Sequence, residues 1–313
     1  MISDLSITIA GIHFQNPVIA ASGTFGYGRE YADIIDVSRL GGMCTKGLTM
    51  NPRPGNTGIR VWETPSGLLN SIGLENPGIP AFIENELPRL RSLGPVVIAN
   101  LSGSGIDEYT EGAALLNASS VDMIELNISC PNVRAGGMAF GLDPAAAASV
   151  VQPVRRALTS KPLMVKLSPN APDLNAVARA CVNAGADALS LVNTFKAMAI
   201  DVQNRRPVFD NTSAGLSGPA IKPIALRMVW ELCRELKPAV PVIGLGGIAN
   251  TGDALEFLMA GAAAVQVGSA TFPHPAAMIE IIEGIESYMH RLGFASTAEI
   301  SLNMQVPPNV QVS

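Results

Sequence analysis

The sequence has few cysteines, histidines and aromatic residues, and each scarcity argues against a class of function. Its 313 residues contain three histidines, none paired with an acidic residue at metal-ligand spacing, so no metal site is predicted. Aromatic residues make up 5% of the chain and the net charge is −5 without a basic cluster, which argues against nucleic-acid binding. The cysteines form no C-x-x-C pair, so neither a disulfide framework nor an iron–sulfur site is predicted. They are Cys44, Cys130, Cys181 and Cys233.

Long apolar segments are also missing. No run of about 18 apolar residues occurs, and no charged-then-apolar leader opens the chain. We therefore expect a soluble, unprocessed, cytoplasmic protein that does not associate with membranes. The length and the 48% hydrophobic content allow either one large α/β barrel or two smaller domains.

Eight short apolar runs alternate with segments of helical period. Continuous apolar character over four to six residues is typical of strands buried on both faces, so the pattern predicts a (β/α)8 barrel. A doubly wound open sheet is the alternative, but it normally has fewer strands and a G-x-G-x-x-G after the first one. The predicted strands are 17–21, 42–46, 96–100, 123–127, 163–167, 188–192, 241–245 and 264–268. The predicted helices are 79–93, 143–159, 172–184, 219–236 and 276–291, with weaker ones at 27–37, 106–118 and 252–260.

The N-terminal segment and three long connections provide further predictions about the fold. LSITIAG and IHFQNP, residues 5–17, alternate in polarity and predict a β-hairpin that closes the bottom of the barrel. Neither an internal repeat nor a linker interrupts the pattern, so we predict one domain over residues 1–313. Three connections, 47–78, 128–142 and 194–218, are long and rich in Gly, Pro, Asn and Ser. They follow strands, on the catalytic face of a barrel, and are interpreted as lids or binding elements rather than tolerated insertions.

Charged and glycine residues end several of the predicted strands. Lys46 and Lys166 would be costly at buried strand ends unless each met an anion or fixed dipoles, which favours an anionic ligand. Glycines after the last two strands free backbone N–H groups for a phosphate, although such glycines also serve simple tight turns. The residues of this predicted phosphate corner are Gly246, Gly247, Gly268 and Ser269.

Asparagines and one thiol cluster on the same predicted face. Asn70, Asn127, Asn132 and Asn193 offer paired donors and acceptors, which suit a planar amide or imide, although single asparagines at loop starts are more often turn residues. Cys130 lies between two of them, beside Pro131, which bars continuation of the strand. A thiolate there could act as a nucleophile or as a general base, and the sequence leaves both open.

Several longer motifs resemble those of the dihydroorotate dehydrogenases, in the same order, from about residue 5 to 290. The stretch ETPSGLLNSIGLENPG together with the cysteine of ELNISCPN points to the class 1B subfamily, whereas class 2 enzymes have serine in place of this cysteine and carry an N-terminal membrane-associating extension. The motifs are TKGLT (45–49), NPRPGN (51–56), ETPSGLLNSIGLENPG (63–78), ELNISCPN (125–132), VKLSPN (165–170), VNT (192–194), GLSGPAIKP (215–223) and GLGGI (244–248).

The resemblance implies a barrel with one FMN per chain that oxidises (S)-dihydroorotate to orotate in de novo UMP biosynthesis. Cys130 would be the general base that takes the C5 proton while hydride passes from C6 to flavin N5. Substrate would be bound by Lys46, Asn70, Ser71, Ile72, Gly73, Leu74, Asn127, Asn132, Asn193 and Thr194. FMN would be bound by Ser22, Lys46, Gly47, Asn100, Asn127, Lys166, Val192, Gly218, Gly246, Gly247, Gly268 and Ser269.

The resemblance also implies partners. Class 1B catalytic subunits pass electrons to NAD+ through a subunit that carries FAD and a 2Fe-2S cluster, so we expect a homodimer of this chain within a heterotetramer. Within the family, the alternatives are a class 1A homodimer that reduces fumarate and a relative of the dihydropyrimidine dehydrogenases. Outside it, the alternative is a non-catalytic phosphate-ligand-binding barrel or electron-transfer scaffold, for which a reactive thiol at Cys130 would have no use.

Overall fold

A computed structural model of the chain describes residues 3–129, 140–236, 239–302 and 304–305. Its strands, in chain order, are β1 (Ile7–Ile9), β2 (Ile12–Phe14), β3 (Val18–Ala20), β4 (Gly42–Cys44), β5 (Val61–Thr64), β6 (Gly67–Asn70), β7 (Val96–Leu101), β8 (Met123–Asn127), β9 (Leu163–Lys166), β10 (Ala188–Leu191), β11 (Phe195–Ala197), β12 (Ile200–Asp201), β13 (Arg206–Pro207), β14 (Ala214–Ser217), β15 (Val242–Leu245) and β16 (Ala264–Val267).

Eight of these strands close a parallel barrel in the order β10-β15-β16-β3-β4-β7-β8-β9. Each coincides with one of the eight predicted apolar runs, so the (β/α)8 barrel is confirmed. The reason is burial on both faces: in β8, for example, all five residues are buried. Parallel strands all run from one end of the barrel to the other, so their carboxyl ends meet at one mouth.

The helices flank the barrel. They are α1 (Arg29–Ala32), α2 (Ile79–Ala81), α3 (Leu87–Ser92), α4 (Ile106–Ala118), α5 (Pro144–Ala157), α6 (Leu174–Asn183), α7 (Lys222–Glu235), α8 (Thr251–Met259), α9 (Ala277–Leu292) and α10 (Ala298–Leu302). None of the helices in these described ranges is long and apolar enough to cross a bilayer.

Two predicted helices differ from the observed ones. The segment 27–37 forms only the single turn α1, followed by a short 3-10 turn at Val37–Arg39. The segment 79–93 is helical but interrupted, because a π turn at Phe82–Glu86 separates α2 from α3. Pro88 is the second residue of α3, and a proline has no N–H to continue a regular helical ladder.

The N-terminal hairpin closes the barrel at the amino ends of its strands, as predicted. β1 and β2 pair antiparallel, and Ile9 and Phe14 are buried. Both pack in one apolar cluster with inward residues of the barrel strands, among them Ile19, Ile98 and Met164. The opposite end, where the strands terminate, is thereby left as the mouth.

Two of the long connections contain more regular structure than their composition predicts. Residues from 47–78 and 194–218 form a four-stranded antiparallel sheet in the order β11-β14-β6-β5. β6 and β14 pair directly, with Asn70 opposite Gly215. No strands were predicted in these connections, because the short strands there are stabilised by pairing across a long sequence separation. The third connection, 128–142, lies largely outside the described residues.

Candidate functional site

Polar side chains meet where β8 and β10 end at the barrel mouth. Asn127 is the last residue of β8, and Asn193 follows β10 closely. The Asn193 amide donates to the Ser129 hydroxyl and, over 3.5 Å, to Asn127 Oδ1. The Ser129 hydroxyl in turn donates to Asn127 Oδ1 over 2.7 Å. Two of the four predicted asparagines therefore form one hydrogen-bonded group.

A second polar layer lies directly below, inside the barrel. Asn127 Nδ2 donates to Asn100 Oδ1 over 3.4 Å, and Asn100 Nδ2 donates to Glu125 Oε1 over 2.6 Å. Lys166 Nζ lies 3.6 Å from the same carboxylate, and both side chains are almost fully buried. The hydrogen-bonded group at the mouth thus continues inward to a buried ion pair.

Glu125 is ionised despite its burial. Burial alone would raise the pKa of this carboxyl group, but Lys166 and the hydrogen bonds from Gln266, Ser190 and Cys44 lower the pKa below its ordinary value. The adjacent thiol shows the opposite effect: burial, followed by the Glu125 charge, raises the pKa of Cys44 well above its usual range. Cys44 is therefore a neutral donor within the core.

Lys46 lies at the edge of the mouth in a different environment. Its Nζ is 4.0 Å from Glu75 Oε2, which also receives a 2.8 Å ion pair from Arg60. The Lys46 side chain is 27% exposed, so this lysine reaches solvent whereas Lys166 does not. Each lysine has a carboxylate partner within the protein, so the pair of lysines does not by itself require an anionic ligand.

The added sheet brings another group of predicted residues to the mouth. The Asn70 amide donates to the Gly215 carbonyl over 3.2 Å, and a Cβ on Gly215 would lie 2.2 Å from Thr194 Oγ1. Asn70 and Thr194 therefore flank one glycine, although they come from distant parts of the chain.

The segment 71–74 that follows β6 is held by side-chain amides. Asn56 Nδ2 donates to the carbonyl and the hydroxyl of Ser71, each over 3.0 Å, and Asn211 Nδ2 reaches the same hydroxyl over 3.3 Å. Gly73 and Leu74 both have positive φ angles, 80° and 57°. The predicted substrate segment is thus an ordered turn with its hydroxyl already engaged.

Close contacts place other predicted residues side by side. A Cβ on Gly47 would lie 2.8 Å from Leu74 Cδ2 and 3.2 Å from Asn100 Oδ1. A Cβ on Gly246 would lie 3.0 Å from Val192 Cγ2. The glycine at 47 therefore adjoins the barrel network, and Val192 adjoins the glycines after β15.

The predicted phosphate corner is a cluster of free backbone donors. Within the described part of the chain, the N–H groups of Gly246, Gly247, Gly268 and Ser269 donate no hydrogen bond. A Cβ on Gly247 would lie 2.8 Å from the Gly218 carbonyl oxygen, and one on Gly268 would lie 3.5 Å from Ala21 Cβ. Gly218 and the segment containing Ser22 therefore border this corner.

Sequence reasoning missed the centre of the barrel network. Glu125 is part of the motif ELNISCPN, but the sequence does not predict it as the counterion of Lys166, and it predicts no role for Gln266 or Ser190. The available signal was a charged residue inside an otherwise apolar strand, two positions before Asn127 and so on the same face. Cys130 and Asn132 lie outside the described residues, so the structure adds nothing on these two predictions.

Comparison with known proteins agrees with this arrangement. The family model for dihydroorotate dehydrogenase matches residues 4–289. The chain belongs to this family. The match spans every strand of the barrel as well as the sheet formed by the two long connections, so both layers of polar residues lie within it.

Several relatives within the family are similar over almost the whole chain. Three of them bear the name dihydroorotate dehydrogenase B (NAD(+)), catalytic subunit. The one from Petrotoga mobilis is 57% identical over 297 residues, which is 95% of this chain and 98% of the relative. The one from Geotalea daltonii is 55% identical, covering 95% and 97%. The one from Caldicellulosiruptor bescii is 51% identical, covering 95% and 98%.

Proposed function

We propose that this chain oxidises dihydroorotate to orotate in de novo pyrimidine biosynthesis, as the NAD-linked catalytic subunit of a dihydroorotate dehydrogenase. The observation that carries the proposal is the hydrogen-bonded group of Asn127, Ser129 and Asn193 at the mouth, beside a buried lysine, Lys166, that lies opposite Asn127 on the neighbouring strand. The high identity to relatives named for this activity supports the same conclusion.

The residues at the mouth fit FMN as the cofactor. The four free N–H groups of the glycine corner suit a phosphate, because backbone donors beside short helical turns are a common phosphate site. We assign the phosphate to Gly246, Gly247, Gly268 and Ser269, and the flavin ring to a larger set that borders the network. That set is Ser22, Lys46, Gly47, Asn100, Asn127, Lys166, Val192 and Gly218. When bound, FMN supplies the electron acceptor for the reaction.

The substrate would lie among the side chains that can pair with its amides and carboxylate. Asn127 and Asn193 each have donor and acceptor groups at the mouth, and Asn70 and Thr194 lie on either side of Gly215. Lys46, partly exposed at the edge of the mouth and 4.0 Å from Glu75 Oε2, is the cation assigned to the substrate carboxylate. The backbone of residues 71–74 and Asn132 complete the proposed substrate site.

Cys130 would take the C5 proton of the substrate. The other three cysteines are unsuited to this role, since burial raises the pKa of Cys44 well above its usual range and that of Cys181 and Cys233 to about 12. A thiol with such a pKa is rarely ionised at neutral pH and is a poor base. In the sequence, Cys130 follows Asn127, the last residue of β8, by three positions.

Titration with dihydroorotate and with dihydrouracil tests whether the chain has this function or that of a dihydropyrimidine dehydrogenase. The purified chain, loaded with FMN, is titrated anaerobically with each compound while the flavin absorbance is recorded. We expect dihydroorotate to bleach the flavin and dihydrouracil, which lacks the carboxylate, to leave it oxidised. Bleaching by dihydrouracil alone would contradict the substrate assignment. A chain that binds FMN but is bleached by neither compound would favour a non-catalytic barrel.

We also propose that electrons leave through a partner subunit carrying FAD and a 2Fe-2S cluster, with this chain a homodimer inside a heterotetramer. The relatives named as catalytic subunits support a partner. The test is reoxidation of the bleached chain. NAD+ should restore the flavin colour only after an iron–sulfur flavoprotein subunit is added, whereas direct reoxidation by fumarate would indicate a class 1A enzyme.

A further inference from the structure

Glu125 provides a negative charge inside the barrel immediately below the proposed flavin site. It precedes Asn127 by two residues on β8, so both side chains lie on the inner face. Glu125 is 0% exposed, and its Oε1 lies 3.6 Å from Lys166 Nζ. Among the ion pairs of the described residues, Lys166 takes part only in this one. Glu125 is therefore the counterion of this lysine.

Four further side chains fix that carboxylate in place. Their donors reach it from four different strands, which is more than an incidental ion pair would receive. The donors to Oε1 are Asn100 Nδ2 at 2.6 Å and Cys44 Sγ at 3.2 Å, and those to Oε2 are Ser190 Oγ at 2.8 Å and Gln266 Nε2 at 3.0 Å. A carboxylate with this many donors is held ionised and in one orientation.

We propose that Glu125 is a positioning residue that keeps Lys166 protonated in both oxidation states of the bound flavin. This inference rests on the proposed function, which assigns Lys166 to the flavin ring. A buried ammonium group without a counterion is costly and tends to lose its proton. With Glu125 beside it, the cation is already in place when negative charge develops on the ring, and preorganised charge stabilises such a state most effectively.

The other groups facing this pair do not compete for protons. Among the described residues, Cys44 is the only additional titratable side chain in the network, and its raised pKa keeps it a neutral thiol. Asn100, Ser190 and Gln266 do not titrate. If Glu125 is made neutral, Lys166 should therefore lose its proton while the flavin is oxidised. It should then take one proton from water onto the Nζ lone pair when two electrons make the ring negative.

Glu125→Gln is the direct test, and the measurement is the pH dependence of the flavin midpoint potential at alkaline pH, where the reduced ring stays an anion and takes up no additional proton of its own. The slope of midpoint potential against pH gives the number of protons taken up with the two electrons. Dithionite supplies these electrons, so the test does not need dihydroorotate. The variant should take up one proton more than the parental chain. The change is nearly isosteric, and Gln266 Oε1, which has no partner in the described residues, can accept from the new amide.

The double variant Glu125→Gln with Lys166→Met is the control, because it removes both charges together. Its proton count should equal that of the parental chain. An unchanged count in Glu125→Gln would overturn the proposal. The proposal would also be overturned if the parental chain took up one proton more than the double variant, because Lys166 would then take up a proton on reduction even beside Glu125. This second comparison can be made even if the single variant does not fold.

Ser190→Ala supplies a second control, because it removes one hydrogen bond to Glu125 and leaves both charges. Its proton count should match the parental value, which separates the charge of Glu125 from general disturbance of the core. Failure of the proposed function is a different result: the chain would not bind FMN, or dihydroorotate would not bleach it.

Discussion

At the scale of single residues, Gly247 is constrained both by its backbone conformation and by its neighbours. Its φ angle is +75°, which side-chain-bearing residues rarely adopt. A Cβ there would lie 2.8 Å from the Gly218 carbonyl oxygen and 2.9 Å from the Lys222 amide nitrogen. Both neighbouring atoms belong to the backbone and cannot turn aside, so a side chain at this position would displace the glycine corner.

We expect Gly247→Ala to weaken FMN binding by at least about tenfold, because the added Cβ would clash with two backbone atoms and displace the N–H groups of the corner, whereas the left-handed backbone itself costs about 1–2 kcal/mol at any such glycine. The dissociation constant is measured by quenching of FMN fluorescence on titration with the apoprotein. Gly11→Ala is the matched control: φ is +82° there, yet nothing lies within 4 Å of the added Cβ. Equal losses of FMN affinity in the two variants would contradict the assignment of the phosphate to this corner.

At the scale of elements, the N-terminal hairpin supports the barrel from the side opposite the mouth. Phe14 is fully buried and packs with inward residues of several barrel strands. We expect Phe14→Ala to lower the free energy of unfolding by about 3–5 kcal/mol, since it leaves a cavity in a closely packed layer. Urea denaturation measures this change. Phe272→Ala, at a residue 51% exposed, should cost much less, and a similar loss in both would show that the hairpin does not close the barrel.

The elements differ in how readily the sequence reveals them. Each barrel strand is a short apolar run because both of its faces are buried, and this pattern is legible without the structure. The strands of the added sheet are short and partly exposed, as in β5, where Val61 and Trp62 are 48% and 41% exposed. Their pairing joins residues 145 positions apart, as between Asn70 and Gly215. Local patterns carry no signal of such pairing, so these segments were predicted as loops.

The residues of the site also differ in how readily the sequence predicts them. The glycine corner and the asparagines at strand ends follow from barrel topology, because all carboxyl ends meet at one mouth. The partner of Lys166 cannot be predicted from the topology, because a lysine at a strand end could pair either with an external anion or with an internal carboxylate. Which of these it meets depends on the register of β8 against β9, where Asn127 lies opposite Lys166 and Glu125 one layer below.

At the scale of the whole molecule, the buried ion pair makes stability depend on pH. The folded-state pKa of Glu125 lies below its ordinary value of 4.5, so the unfolded chain binds more protons in this range. The stabilisation from Glu125 is therefore present above about pH 4.5 and is lost as the pH falls through the lower folded-state pKa.

Urea unfolding across acidic pH measures this contribution. The reference is the double variant Glu125→Gln with Lys166→Met, which lacks both charges. Relative to it, the parental chain should lose free energy of unfolding as the pH is lowered from about 6 to below about 4.5. A difference between the two chains that stays constant over this range would contradict the lowered pKa of Glu125.

The central claim is that this barrel oxidises dihydroorotate with Cys130 as the base, and anaerobic stopped-flow reduction of the bound FMN by dihydroorotate tests it most directly. The parental chain should be reduced rapidly. Cys130→Ala should bind FMN normally and be reduced at least about a hundredfold more slowly, as expected when a general base is removed. Cys233→Ala, a thiol whose pKa burial raises to about 12, should match the parental rate. Reduction of Cys130→Ala at the parental rate, or failure of dihydroorotate to reduce the parental flavin, would contradict the account.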